Sequence, residues 1–226
     1  LASLWEPYAA APPRRPYPRG RMRFCDESEL GFGWIAPTPP AMERACHAVL
    51  ADGKVWVVDP VWDDEVERRV RELGEPAGVL VLLDRHQRDS KQAAEALGVE
   101  VHQQPLDPID GAPFSFVEVV RNRWWKESAL WWEAQRLLLV PEAVGTVDYF
   151  RAGDEPLAVH PMLRLTPPRG ALAGLEPEHL LVGHGEGLHG PQTGQALREA
   201  LGASRKSTPS WVANHGAELV RSIVKR

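Results

Sequence analysis

The chain has 226 residues, of which 43% are hydrophobic and 25% charged, with a formal net charge of −5. That length supports one large core or at most two small domains, in the composition range of ordinary globular proteins. A net negative chain has no electrostatic reason to bind nucleic acid or an anionic membrane, and no apolar run approaches the ~20 residues of a bilayer span.

Residues 1–20 hold five prolines and little apolar periodicity, which predicts an extended, poorly ordered arm ahead of a single domain over 21–226. They contain no apolar core followed by a cleavage site, so no signal peptide is expected, and Leu1 in place of a starting Met reads as a trimmed or processed chain. Cys25 and Cys46 are too few and too irregularly placed for a disulfide framework or a zinc knuckle, which points to a reduced, cytoplasmic protein. The run Gly31-Phe32-Gly33-Trp34 reads as a flexible connection with an anchoring Trp. His47–Pro60 predicts a hairpin, with two apolar runs around Asp52-Gly53. Trp62–Gly74 follows as an amphipathic helix: Val66, Val70 and Leu73 share a face and acids fill the first turn. Gly78–Leu83, GVLVLL, is an unbroken apolar run and so a buried strand. Ser90–Gly98 is a second helix with Ser90 as its N-cap, and Val99–His102 begins another strand.

The second half has more strand. FSFVEVV, ESALWWEAQRLLLV and EPLAVHPM read as successive strands and turns, and His179–Gly187 as a strand entering a glycine-rich turn. Gln192–Leu201 and Trp211–Arg226 read as helices, able to cover a sheet face or form a homodimer contact. Trp124, Trp125, Trp131 and Trp132 fall in strand-like segments and are expected in the core. Strands with interspersed helices through both halves predict an α/β or α+β sandwich.

Three strand ends carry residues able to bind metal or move protons: DRHQRDS (Asp84–Ser90), LVPEAVGT (Leu139–Thr146) and LVGHGEG (Leu181–Gly187). Ligands drawn from several loops at one sandwich edge can build a hydrolytic metal centre with a position left open. Each piece alone has an ordinary explanation. A His in a glycine turn is commonly structural, and Glu142 after Pro141 is an ordinary turn acid.

In this order the motifs resemble the metallo-β-lactamase superfamily, the glyoxalase II-like fold, over roughly residues 30–203. The resemblance implies a four-layer αββα sandwich. DGKVWVVDP looks like the family's first hairpin, ending in Asp59. The family's metal motif, His-x-His-x-Asp-His, stands here as Arg85-His86-Gln87-Arg88-Asp89-Ser90. No histidine lies near Lys126-Glu127, where the family has Gly-His-Thr-x-Gly. Glu142 takes the place of the metal-bridging aspartate, and His184 that of the closing GHG ligand. The resemblance therefore implies loss of the first metal site, since arginine offers no lone pair. The second site maps to Asp89, Ser90, Glu142 and His184, three of which can ligate.

Two readings of the site follow. In the first, no cofactor binds, and Arg85 and Arg88 replace the metal charge by pairing with Asp59, Asp84, Asp89 or Glu142. Arg85 is then expected to bridge Asp59, Asp89 or Glu142, and the protein is a non-catalytic or small-ligand-binding member of the superfamily. In the second, a single zinc or iron ion is held by Asp89, Glu142 and His184, with His86 swinging in, and the protein is a hydrolase. A metal-free variant of that reading uses Asp89 and His184 as an acid/base pair. Arg85, His86, Asp89, Glu142 and His184 are expected to converge at one end of the sandwich. Glu127 is expected to line the same cleft, and His160 either to line it or to cap a turn.

Overall fold

The computed structural model describes residues 21–37 and 42–224, with side chains through residue 216. The N-terminal arm expected over residues 1–20 lies outside them, as do the last two residues of the expected closing helix. The chain opens with an antiparallel hairpin, β1 (Arg23–Ser28) and β2 (Gly31–Ile35). β2 is buried along its whole length, so Gly31–Trp34 is a core strand and not the flexible connection the glycines suggested. The glycines serve close approach instead: a Cβ on Gly31 would stand 1.9 Å from the Ala48 carbonyl oxygen. Trp34 is fully buried and donates its indole N–H to Val61 O at 2.8 Å.

β3 (Ala45–Ala51) and β4 (Lys54–Val58) form the hairpin expected from Asp52-Gly53. Both turn residues have positive φ, +51° and +78°, the requirement of the tight reversed turn. α1 (Asp64–Leu73) starts where the Asp63 carboxylate accepts Val66 N–H at 2.9 Å, and it buries Val66 and Val70. β5 (Glu75–Val81), α2 (Ser90–Leu97) and β6 (Val101–Gln103) continue by parallel crossovers. Asp89, not Ser90, occupies the N-cap of α2, and Gly98 ends that helix at φ +72°. These strands form one six-stranded sheet in the order β1-β2-β3-β4-β5-β6.

β7 (Ser115–Asn122), β8 (Trp125–Trp132) and β9 (Leu137–Val140) form an antiparallel meander. After β10 (Val144–Gly145), β11 (Ala158–Val159) and the short α3 (Arg169–Leu172), β12 (His179–Val182) pairs parallel to β9. β13 (Leu188–His189), α4 (Thr193–Ala203) and α5 (Thr208–Val224) complete the chain. The second sheet runs β13-β12-β9-β8-β7.

The packing is four-layered. Val49, Trp56, Val58, Leu80, Leu82, Leu130, Leu137 and Leu139 fill the space between the sheets. Val66, Val70, Ala93 and Ala94 of α1 and α2 pack on the outer face of the first sheet. Leu172, Leu197, Ala200 and Leu201 of α3 and α4 do so on the second. This is the αββα arrangement expected. Trp125 and Trp132 are buried as expected and Trp131 is half-buried, whereas Trp124 is 72% exposed and stacks under Arg123. Among the described residues, no helix is long and apolar enough to cross a membrane.

Candidate metal centre

Five side chains meet where strands of both large sheets, and of the small antiparallel β10–β11 pair, end. Asp59 follows β4 directly, and His86 lies five residues beyond β5; Glu142, His160 and His184 each stand within two residues of the ends of β9, β11 and β12. Carboxyl ends of strands are where a sandwich leaves loops free to carry chemistry over a rigid base. His86, Glu142, His160 and His184 are all at least nine-tenths buried.

Glu142 is the hub. Its Oε2 lies 2.9 Å from His86 Nε2 and 3.0 Å from His184 Nε2, and its Oε1 lies 3.2 Å from His160 Nε2. Each imidazole is anchored through its other nitrogen. His86 Nδ1 meets Asp59 Oδ2 at 2.9 Å, and Asp59 Oδ1 accepts Leu82 N–H at 2.9 Å. His184 Nδ1 meets Met42 O at 2.5 Å. His160 Nδ1 accepts Met162 N–H at 3.2 Å.

These anchors set the proton positions. A carbonyl oxygen only accepts, so His184 carries its proton on Nδ1 and, when neutral, turns a bare Nε2 lone pair to Glu142. The Asp59 carboxylate does the same for His86. His160 is the reverse case: its Nδ1 is the acceptor, so its Nε2–H donates to Glu142 Oε1. Two bare nitrogens and one carboxylate oxygen thus crowd a triangle that needs positive charge at its centre. Burial lowers the pKa of His184, against the pull of Glu142, and so opposes an imidazolium there. Burial alone would raise the Glu142 carboxyl, but the hydrogen bond from His160 and, whenever their Nε2 carries a proton, those from His184 and His86 outweigh it and hold it well below the usual range. Among the described residues His86, Glu142 and His184 are the one group of three such side chains close enough together to hold a metal ion.

The surrounding residues prop this triangle. Glu127 is fully buried and does not face it. Its Oε1 accepts Glu142 N–H and Ala143 N–H at 3.0 and 2.8 Å, and its Oε2 accepts the Trp125 indole N–H at 2.7 Å. Arg88 reaches behind His86 to donate to Ala45 O at 2.7 Å and Asp59 O at 2.8 Å.

Of the five residues expected to converge, His86, Glu142 and His184 do so and the other two do not. Asp89 accepts Trp62 N–H at 3.0 Å from the start of α2, so it is not a ligand beside Glu142 and His184. The Arg85 guanidinium carbon lies over the Trp125 ring, 4.1 Å from its centre, and the group donates to Trp124 O at 3.2 Å. Its nearest acid is Asp84, at 3.5 Å, so it bridges none of Asp59, Asp89 and Glu142. Of the ion pairs expected around the two arginines, Arg85–Asp84 forms among the described residues and the others do not; Arg88 bonds to the Ala45 and Asp59 carbonyls and to the Cys46 sulfur. His86, expected only to swing in beside the other ligands, is central. The Met42 carbonyl has no signature in sequence, because any residue supplies one.

Solved structures confirm the fold. A metallo-β-lactamase from Hirschia baltica superposes with a TM-score of 0.55 at 10% identity, covering 84% of this chain and 98% of that one. A putative diflavin flavoprotein fragment from Nostoc sp. PCC 7120 gives 0.58 at 12% identity, covering 82% and 98%. A metallo-β-lactamase from Erythrobacter litoralis gives 0.54 at 10% identity, covering 81% and 97%. No protein-family model and no curated protein matches the sequence. The chain has the metallo-β-lactamase fold.

Proposed function

We propose that the protein is a hydrolase of this fold with a single divalent ion, zinc or iron, held by His86, Glu142 and His184. The supporting observation is the pair of bare Nε2 atoms within 3.0 Å of one carboxylate oxygen. Ligands at about 2.0–2.2 Å from one ion stand roughly 3–3.5 Å apart, close to that spacing. The outer partners are those that metal-binding imidazoles use: a carboxylate on His86 and a carbonyl on His184. A second ion beside the first has no ligand set, since Asp89 is turned away and Glu127 is occupied by three N–H groups.

Such an ion supplies Lewis-acid polarisation of a substrate carbonyl or phosphoryl group. The chain's own residues do the rest. Three protein ligands leave coordination open on the ion. His160 holds Glu142 Oε1, so only Oε2 faces the two ligand nitrogens. Asp59 fixes the ring and tautomer of His86.

A second reading also has an observation behind it. The Arg88 guanidinium lies 3.4 Å from His86 Nδ1, and its permanent charge opposes a cation. In that reading protons shared among the imidazoles and Glu142 replace the ion, and the fold binds a small ligand without catalysis. Elemental analysis of protein purified without chelator separates the two. We expect close to one equivalent of zinc or iron per chain that Glu142→Ala removes, a lower unfolding midpoint after chelation, and recovery with zinc. Asp59→Asn should weaken zinc binding roughly 10–100-fold. Metal-free protein whose midpoint zinc does not move would reject the ion and leave the proton-shared cluster.

A further inference from the structure

A second pair of metal-capable nitrogens lies apart from that centre, on the β12–β13 hairpin. His179 and His189 are cross-strand partners, and their Nδ1 atoms stand 3.1 Å apart. His189 Nε2 meets Asp26 Oδ1 of β1 at 3.1 Å. The carboxylate only accepts, so the His189 proton sits on Nε2 and its Nδ1 presents a lone pair to His179. Asp26 is itself fixed, with both oxygens accepting Gly187 N–H at 3.0 and 3.2 Å. Its carboxyl is held below the usual range: burial opposes this, but the His189 bond, the nearby His47 and the Gly187 N–H prevail.

Two nitrogens on one tetrahedral zinc, each at about 2.0–2.1 Å, stand roughly 3.3–3.4 Å apart. The observed pair needs only a few tenths of an ångström and a small turn of each ring. A carboxylate on the far nitrogen is the partner that orients a ligand imidazole. Glu29 and Glu178 add negative charge near His179, although Glu178 also pairs with Arg136 at 2.9 Å. We propose that His179 and His189, oriented by Asp26, bind one zinc-type divalent ion, with water completing its coordination. The ion is structural. β13 is the edge strand of the second sheet and β1 that of the first, so it fastens the two open edges through Asp26. The inference does not rest on the His86–Glu142–His184 centre. The competing explanation is a single N–H···N hydrogen bond between the two rings.

Zinc titration of the full chain by calorimetry decides between them, with Glu142→Ala silencing the central site. In that background we expect one remaining equivalent, with at least tenfold weaker binding in His179→Ala and 10–100-fold weaker in Asp26→Asn. His179 is half-buried and His189 exposed, so alanine at either leaves the core intact. Should Glu142→Ala fail to fold, imidazole nitrogen NMR of the wild type gives the same answer. Zinc should shift the Nδ1 resonances of both His179 and His189. No uptake in the Glu142→Ala background, uptake unaffected by His179→Ala, or unmoved Nδ1 resonances would each overturn the proposal.

Discussion

Glu127 is enclosed by three N–H donors, yet burial dominates and pushes its carboxyl up to about 7. A group whose folded-state pKa is raised stabilises the fold when protonated. Its contribution is therefore complete below its unfolded pKa of about 4.5 and is lost as pH rises through about 7. The loss is worth up to about 3 kcal/mol. Chemical denaturation from pH 5 to pH 8 should show wild-type stability falling more than that of Glu127→Gln; parallel curves would contradict this. The two arginines give a second contrast. Arg85 is half-exposed and holds a ring face and a nearby acid, so Arg85→Ala should cost at most about 1 kcal/mol. Arg88 donates to two carbonyls in a partly buried site, and Arg88→Ala should cost about 2–3 kcal/mol. Urea midpoints for the two variants test the order. Sequence made His86, Glu142 and His184 visible because each follows an apolar strand. It misplaced Arg85 and Asp89 because a loop of eight residues, 82–89, can aim its side chains several ways, and the aim is set by Trp62 and Trp125 from other segments.

Elements whose signals are local were readable. Asp52-Gly53 fixed a turn, the apolar face and first-turn acids marked α1, and Gly98 stopped α2. The β1–β2 hairpin was not, because alternating glycines in β2 hide a strand whose burial depends on β3 and α1. The glycines of the His184 turn have a different role. A Cβ on Gly183 would stand 2.0 Å from Pro141 O, and one on Gly185 would meet Thr146 Oγ1 at 2.2 Å. Gly183 therefore lets the end of β12 lie against the end of β9, which is what brings His184 beside Glu142. Since the obstacle is backbone, Gly183→Ala should destabilise by about 1–3 kcal/mol or more. It should also separate His184 from Glu142, read as weakened zinc uptake. A neutral Gly183→Ala with full uptake would show that this contact is not what sets the spacing.

At the scale of the molecule, the alternation of strands and helices in both halves was enough to anticipate a sandwich, and the order of motifs its kind. Sheet order was not readable, because the parallel pairing of β9 with β12 joins segments about forty residues apart through contacts no local pattern encodes. The layout has a further consequence. Each sheet is a continuous stretch of chain, 23–103 and 115–189, joined by a largely exposed connection carrying Pro105, Pro108, Gly111 and Pro113. The central site takes Asp59 and His86 from the first stretch and Glu142, His160 and His184 from the second. Severing the connection would thus leave two fragments, each with one whole sheet and neither with a whole site. Mixed together, they would form a complementation pair in which an ion at Glu142 signals that the halves have found one another.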